Sequence, residues 1–458
     1  MTSPGAGYLL PPAPIETLDA YLATETGGLG LQRAQALGPA ETIAEITRSG
    51  LRGRGGAGFP TGRKWQTIAS SEGGRHYVVA NGAEGEPATF KDRALMRANP
   101  YQLVEGLVIA AFAVGADEVF IALKARFERE IDRVTTAVAE MQQAGICADC
   151  RVTVVPGPDE YLFGEEKALL EAVEGKPPLP RLLPPYEHGL FASDVVTGWE
   201  PTAGVASANP TLVNNIETLS SVPPILARGA DWHRSMGTAE SPGHVVATVV
   251  GDVVAPDVGE IELGTPLGTV IDIVGSGLHG DRTVKAVMSG VANPVVRDLA
   301  IPVSYEGFAA AGSGMGAVGL FVLDDRACMV EAAYVMSRFL YVESCGQCPP
   351  CKLGSGELTD RLARIEAGVA DRGDVDAIGH WLERVTDGNR CYLAVQERLV
   401  VSSVLGAFAE EVDQHLALGR CPRPRPEPLD LPKLDDLAGG VAVYDERQRR
   451  KQPDWTYA

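Results

Sequence analysis

Residues 77–93 read Tyr77-Val-Val-Ala-Asn-Gly-Ala-Glu-Gly-Glu-Pro-Ala-Thr-Phe-Lys-Asp-Arg93. The first four form a short apolar, β-prone run, and everything after them is polar or turn-forming. Polar groups placed just past the end of a strand sit where open α/β sheets bind ligands. Asn81 is suited to hydrogen-bond a ring or a sugar-alcohol hydroxyl, while Glu84 and Glu86 are suited to accept from ribose hydroxyls. Outward from this stretch, from about Ala40 to Ala230, strand-like runs (Tyr77 to Ala80, Glu118 to Leu123, Arg151 to Val155) alternate with helical ones (Pro100 to Gly115, Phe127 to Ala144). That alternation predicts an α/β layer with a largely parallel sheet.

Just upstream, residues 53 to 62 read Gly-Arg-Gly-Gly-Ala-Gly-Phe-Pro-Thr-Gly, followed by Lys64 and Trp65. Glycines at this density let the backbone approach a ligand and turn successive N–H groups toward an anion. Gly53, Gly55 and Gly58 formally satisfy G-x-G-x-x-G, but the dinucleotide fingerprint needs a strand before the loop. Here Glu41 to Ser49 reads as helix, so an ordinary Rossmann turn is not expected. Gly53, Arg54, Gly55, Gly56, Phe59 and Lys64 better suit a flavin phosphate with a dinucleotide stacked above it; the alternative is a flexible surface loop. Two more polar clusters follow, at Tyr161, Gly164, Glu165 and Glu166 and at Asn214, Asn215 and Thr218. Any one of them alone is a solvated turn more often than a site. Their joint occurrence carries the weight.

The texture changes near Pro242. His244 to Gly251, Gly259 to Leu263, Thr269 to Ile273, Thr283 to Ser289 and Val318 to Leu323 read as short β pieces of a small domain. From Ala327 the periodicity is helical in four segments, about 327–343, 352–369, 374–387 and 392–417, which suggests a bundle. The expected division is an N-terminal extension over 1–39, an α/β domain over 40–240, a β-rich domain over 241–325, a helical bundle over 326–420 and an extended arm over 421–458.

Eight cysteines are present. Cys345-Gly-Gln-Cys348-Pro-Pro-Cys351 is C-x2-C-x2-C, with Cys391 beyond it. Three close thiolates and one remote one suit a 4Fe-4S cube, in which each iron takes one external sulfur. Zinc is the alternative, although its ligands usually come two and two. Cys147 and Cys150 read as structural, Cys328 as core, and Cys421 has no assignment.

Composition narrows the partners. A formal charge of -20 over 458 residues argues against nucleic acid, whose binding depends on clustered Lys and Arg. The longest apolar run, Leu103 to Ala116, contains Glu105 and is shorter than the roughly 20 residues of a membrane span. No basic leader region opens the chain, so a cytoplasmic location without direct membrane insertion is expected.

Five stretches, namely 53 to 62, Glu-Gly-Glu-Pro at 84 to 87 with Phe-Lys-Asp-Arg at 90 to 93, Gly-Glu-Glu at 164 to 166, Val-Asn-Asn-Ile-Glu-Thr at 213 to 218 and Glu-Ser-Cys-Gly-Gln-Cys at 343 to 348, occur in order. Together they resemble the NADH-binding flavoprotein subunit of respiratory complex I and the diaphorase subunits of NAD-linked hydrogenases and formate dehydrogenases. The resemblance implies a Rossmann-like α/β domain binding FMN, a ubiquitin-like β-grasp domain and a four-helix bundle carrying an iron-sulfur cluster. It implies FMN held by the glycine loop, Asn81, Glu165, Asn214, Asn215 and Thr218. NADH would lie over the flavin, with Phe59 and Tyr186 stacking on adenine and Glu86 and Glu166 near the nicotinamide. Cys345, Cys348, Cys351 and Cys391 would hold the 4Fe-4S cluster. Partners would be a thioredoxin-like 2Fe-2S subunit and further iron-sulfur or catalytic subunits, which could place the chain peripheral to the inner membrane.

Three positions depart from that pattern. Ala83 stands where Asp is expected, Leu183 where Lys is expected and Thr67 where an aromatic is expected. They favour a divergent member and motivate a reading from another class, a scaffold subunit that keeps the fold and cluster but has lost NADH chemistry. On the enzyme reading no side chain acts as nucleophile or base. NADH yields two electrons together and a cluster accepts one, so a flavin must stand between them.

Overall fold

The computed structural model describes residues 7–193, 207–425 and 428–457. Residues 194–206 of the expected α/β domain, like 426–427 of the expected arm, lie outside the described residues. The chain divides into two compact units. The first comprises the described residues up to Glu84, Lys91–Val246 and Glu260–Gly264, and the second Gly85–Phe90, Ala247–Gly259 and the residues from Thr265 onward.

The first unit is built on four strands, β1 (His76–Gly82), β2 (Ala116–Lys124), β3 (Arg151–Gly157) and β4 (Thr211–Asn215), in the order β3-β2-β1-β4. All pairings are parallel, with Ala80 opposite Asn214 and Asn81 opposite Asn215. Successive strands step outward from β1 on one side, and the chain then returns to its other side at β4. The order therefore reverses between β1 and β4, the place where open sheets of this kind bind ligands. One face of the sheet is covered by Phe163, Leu169, Leu170 and Leu190, packed on Tyr77, Val79, Phe120 and Val213. The helix Pro100–Val114, capped by Asn99, is buried almost all round. It crosses Ile216–Arg228 so closely that a Cβ at Gly106 would lie 2.0 Å from the Leu219 carbonyl oxygen. Only glycine fits there.

A second sheet, of order β6-β5-β8-β7, is formed by β5 (His244–Gly251), β6 (Asp257–Glu262), β7 (Val284–Ser289) and β8 (Gly319–Asp324); β5 from Ala247, β6 up to Gly259 and all of β7 and β8 belong to the second unit. β5 runs parallel to β8, and β7 antiparallel to it. Thr269 to Ile273, expected as a β piece, lies instead within the helix Leu267–Gly275. Its apolar residues recur at Leu267, Val270, Ile271 and Val274, all buried, and that spacing is helical.

The bundle helices run Met329–Glu343, Pro349–Glu366, Arg372–Arg384 and Leu393–Ala407, with Ala409–Leu418 continuing the last after a break at Phe408. The segment beyond Cys421, expected as an extended arm, contains the hairpin β9 (Leu434–Ala438) and β10 (Val441–Tyr444). It is fastened to the bundle by Lys451 Nζ, 2.8 and 2.9 Å from the two Glu343 carboxylate oxygens, with both side chains fully buried. The fold is therefore mixed α/β with a parallel, Rossmann-like core. No helix among the described residues is long and apolar enough to cross a membrane.

Candidate functional site

Four stretches far apart in sequence meet at the carboxyl ends of β1 and β4. The glycine loop is closed on itself by Gly53 N–H donating to the Phe59 carbonyl, 2.8 Å, and by Arg52 Nε reaching the Gly58 carbonyl, 2.7 Å. Arg54 N–H donates to Thr218 Oγ1, 2.8 Å, and a Cβ at Gly55 would lie 3.3 Å from Asn215 Cβ, so the loop lies against β4 and the helix it enters. Trp65, fully buried, donates from Nε1 to Asn214 Oδ1 at 2.7 Å. Across the strand ends, Asn81 Nδ2 donates to the Gly164 carbonyl, 2.8 Å, in the short 3-10 turn Tyr161–Gly164. Lys64 pairs with Glu166.

The loop's shape fits a bulky anionic group. Gly56 has φ +119, a conformation L residues rarely adopt, and a Cβ built on it meets nothing within 4 Å. Open space beside glycine backbone at a sheet's switch point is what a flavin and its phosphate require.

Glu165 caps the helix Glu166–Val173, accepting from Lys167 N and Ala168 N at 3.0 Å each. Burial pushes its carboxyl up to about 7, against the pull of Lys167 and those N–H groups. Phe59 and Tyr186 are about half exposed, and the Arg63 guanidinium lies over the Phe59 ring, 5.8 Å from its centroid.

Several predicted residues are placed differently. The Arg54 guanidinium, read as a phosphate ligand, is buried: Nη2 donates to the His244 carbonyl at 2.9 Å, and Nε lies 4.0 Å from Glu217. Its backbone, not its charge, faces the loop's neighbours. Glu84, read as a ribose acceptor, takes Arg93 Nε at 2.8 Å and the Asp92 N–H at 3.1 Å, at the start of the helix Lys91–Ala98. Glu86 belongs to the second unit, where it accepts the Val291 N–H at 2.8 Å. Lys91, which has no role in the sequence reading, is buried between Asp92 (2.8 Å), Glu217 (2.9 Å) and Asn215 Oδ1 (3.0 Å). Burial opposes its charge, but the two carboxylates outweigh burial and hold it protonated. This network fixes Asn215, whose Oδ1 also caps the helix Ile216–Arg228.

In the bundle, Cys348 occupies the cap position of Pro349–Glu366, and the turn before it uses Gly346 at φ +78. Burial pushes the Cys351 thiol up to about 11; the Ser344 hydroxyl opposes this, and the nearby Cys348 and Cys345 add to it. Lys352 Nζ is held by the carbonyls of Tyr341, Ser344 and Pro453 at 3.0, 2.7 and 2.6 Å. Burial works against its ammonium charge, while Cys351 and Cys345 lie close enough to favour it. A fixed cation and a helix N-terminus both favour thiolates. Next to Cys391 in the chain, Arg390 Nη1 donates to Gln347 Oε1 at 3.1 Å, and Gln347 sits between Cys345 and Cys348 in sequence. The donor set suits a 4Fe-4S cluster.

A glycine loop at the switch point of a parallel sheet and a C-x2-C-x2-C turn at the head of a bundle helix are features of an NADH dehydrogenase-type flavoprotein subunit. Residues 46–224 match the Nuo51 FMN-binding domain, and residues 331–415 the NADH-ubiquinone oxidoreductase-F iron-sulfur binding region. The NADH-quinone oxidoreductase F subunit of Streptomyces coelicolor is 38% identical over 416 residues, covering 89% of each chain. The NADP-reducing hydrogenase subunit HndC of Solidesulfovibrio fructosivorans is 34% identical, over 89% of this chain and 82% of its own length. An NAD+-reducing [NiFe]-hydrogenase in the air-oxidized state superposes with a TM-score of 0.74 at 31% identity, covering 88% of this chain and 67% of that one. The chain belongs to the family of NADH-quinone oxidoreductase F subunits. It is an oxidoreductase subunit with an FMN-binding domain and a 4Fe-4S-binding region, and these relatives are oxidoreductase subunits rather than scaffolds.

Proposed function

We propose that this chain takes hydride from NADH at an FMN held in the first unit and delivers electrons singly, through a 4Fe-4S cluster in the bundle, to partner subunits, or runs the same path in reverse to reduce NAD. The observation that carries this reading is the convergence of the glycine loop, Asn81, the Gly164 turn and Asn214–Asn215 at the β1/β4 switch point. Bound FMN supplies the conversion between a two-electron hydride and single electrons.

The residues bind and orient. Gly53, Gly55 and Gly56 give the flavin phosphate close backbone approach, while Asn81, Asn214, Asn215 and Thr218 fix the strand ends and loop around it. Glu165 adds to the flavin side; Lys64, paired with Glu166, stands at the dinucleotide side, with Tyr161 and Gly164 nearby in the chain, and Phe59 and Tyr186 offer faces to adenine. Glu84 and Arg54 act by positioning. Glu86, held by the Val291 N–H, keeps its nicotinamide-side assignment only if that bond is exchanged on binding. Cys345, Cys348, Cys351 and Cys391 ligate the cluster.

One cluster cannot complete a pathway, so the partners include a thioredoxin-like 2Fe-2S subunit and further iron-sulfur or catalytic subunits. The chain works in the cytoplasm and reaches the inner membrane only through them. On this reading the α/β domain over 40–240, the β-grasp domain over 241–325 and the bundle over 326–420 divide the labour.

The test is anaerobic titration of the purified, partner-bound protein with NADH. Stoichiometric loss of flavin absorbance, with ferricyanide reduction under turnover, is expected. A protein that retains FMN but is not bleached by NADH would support the scaffold reading instead.

A further inference from the structure

Three potential ligands outside the cluster site converge where the bundle meets the arm. Cys328 is the cap residue of the helix Met329–Glu343, His415 lies in the last turn of Ala409–Leu418, and Cys421 opens the segment after it. Their ligand atoms all lie within 4.8 Å of one another, the only such group of three or more among the described residues. Cys328 and His415 are buried and Cys421 is partly exposed.

We infer that Cys328, His415 and Cys421 bind a zinc ion, separate from the iron-sulfur cluster, that locks the start of the C-terminal arm to the bundle. Two features of the geometry carry this. Cys328 Sγ and His415 Nε2 are 3.4 Å apart. A tetrahedral zinc with Zn–S near 2.3 Å and Zn–N near 2.0–2.1 Å would set that edge at about 3.6 Å. His415 Nδ1 is 2.7 Å from the Glu411 carbonyl oxygen, so it carries the proton and leaves the Nε2 lone pair facing the sulfurs. A ligating histidine is commonly oriented by such a second bond. Cys328 also stands at a helix N-terminus: burial pushes its thiol up, and the Glu331 N–H, 3.5 Å from the sulfur, opposes that rise.

Two thiolates neutralise Zn2+, and a donor set of two sulfurs and one imidazole nitrogen selects zinc over hard cations. The neighbouring carboxylates are engaged elsewhere: Glu411 accepts the Met329 N–H at 3.0 Å and pairs with Lys285 and Arg423, and Glu331 accepts the Leu429 N–H at 2.7 Å. Water, reaching the site past Cys421, takes the fourth place. Cys328 and His415 alone are 87 residues apart in the chain, so the ion would close a long loop and hold the arm's first residue against the helix that Cys328 caps.

The experiment is metal analysis of the full chain, purified from zinc- and iron-supplemented cells and filtered against a competing chelator. About one zinc per chain is expected beside the cluster iron, with an X-ray absorption edge fitted by mixed sulfur and nitrogen ligands. It should survive Cys391→Ser and fall at least tenfold in Cys421→Ser and in His415→Ala, with flavin content unchanged. Should His415→Ala fail to fold, Cys421→Ser near the surface decides. A wild-type protein without zinc, zinc retained in Cys421→Ser, or an all-sulfur shell lost with Cys391→Ser would overturn the assignment.

Discussion

Asn81, near the end of β1, donates from Nδ2 to the carbonyl oxygen of Gly164, 2.8 Å away, and so ties the sheet's central strand to the turn that precedes Glu165 and Glu166. One amide thereby links the proposed flavin side to the turn that leads to Glu166, on the proposed dinucleotide side. Such a bond, partly buried, contributes roughly 0.5–1.5 kcal/mol. Asn81→Ala is expected to lower FMN retention and to raise the KM for NADH together. An effect on only one of the two would separate roles that are joined here.

Gly56→Val is expected to abolish FMN retention while the protein still folds. The added side chain enters space that nothing beyond the adjoining residues occupies within 4 Å of the Cβ, so its cost to the empty chain is backbone strain at φ +119, about 1–3 kcal/mol. Flavin fluorescence after acid extraction, read beside the thermal midpoint, checks both halves. Stoichiometric flavin in this variant would move the phosphate away from the loop.

Phe59 and Tyr186, about half exposed, are the aromatics proposed to stack on adenine. Replacing either by Ala should weaken NADH binding by about 1–3 kcal/mol, the worth of one base stacked on a ring, with flavin content intact. Steady-state ferricyanide reduction as a function of NADH measures it. Unchanged kinetics in both variants would place adenine elsewhere.

Glu165 gives a pH dependence with a definite sign. Its carboxyl is raised from 4.5 to about 7, burial being the main cause. Between those values the folded chain keeps a proton that the unfolded chain has released, so stability falls as pH rises through this window, by at most about 1.4 kcal/mol per pH unit. Glu165→Gln should flatten that slope in apoprotein denaturation series. An unchanged slope would mean that the group titrates normally.

Lys451 and Glu343 form a fully buried pair between arm and bundle. Removing one partner leaves the other charge uncompensated, at a cost of about 3–5 kcal/mol. Lys451→Ala should therefore lower the midpoint of the bundle's unfolding, and Lys451→Met with Glu343→Leu should restore most of it. A wild-type midpoint in the single variant would show that the arm adds nothing to the bundle.

Much of this is legible in the sequence, for physical reasons. The strand from Tyr77 is a short apolar run ended by polar residues, and the glycine loop and the C-x2-C-x2-C turn are local patterns whose spacing constrains the backbone directly. Side-chain direction within loops is not so constrained. Arg54 and Glu84 read as ligands from their charge, yet each has a nearer buried partner. Lys91 is visible only as part of Phe-Lys-Asp-Arg, because its meaning depends on Glu217, which reaches it through the fold. Thr269 to Ile273 is β-branched enough to read as a strand, while the helical recurrence of Leu267, Val270, Ile271 and Val274 decides the outcome through packing. Cys328 and Cys421 carry no local spacing signal at all. His415 joins them only in three dimensions.

The central claim is that hydride uptake and single-electron delivery are separate steps served by separate sites in one chain, and Cys391→Ser tests it most directly. In an anaerobic stopped-flow experiment with the partner-bound protein, NADH should bleach the flavin of this variant at nearly the wild-type rate. Paramagnetic resonance after reduction should show the 4Fe-4S signal lost or converted, and electron delivery to one-electron partners should stop. An intact 4Fe-4S signal in Cys391→Ser, or loss of flavin bleaching together with the cluster, would contradict the account.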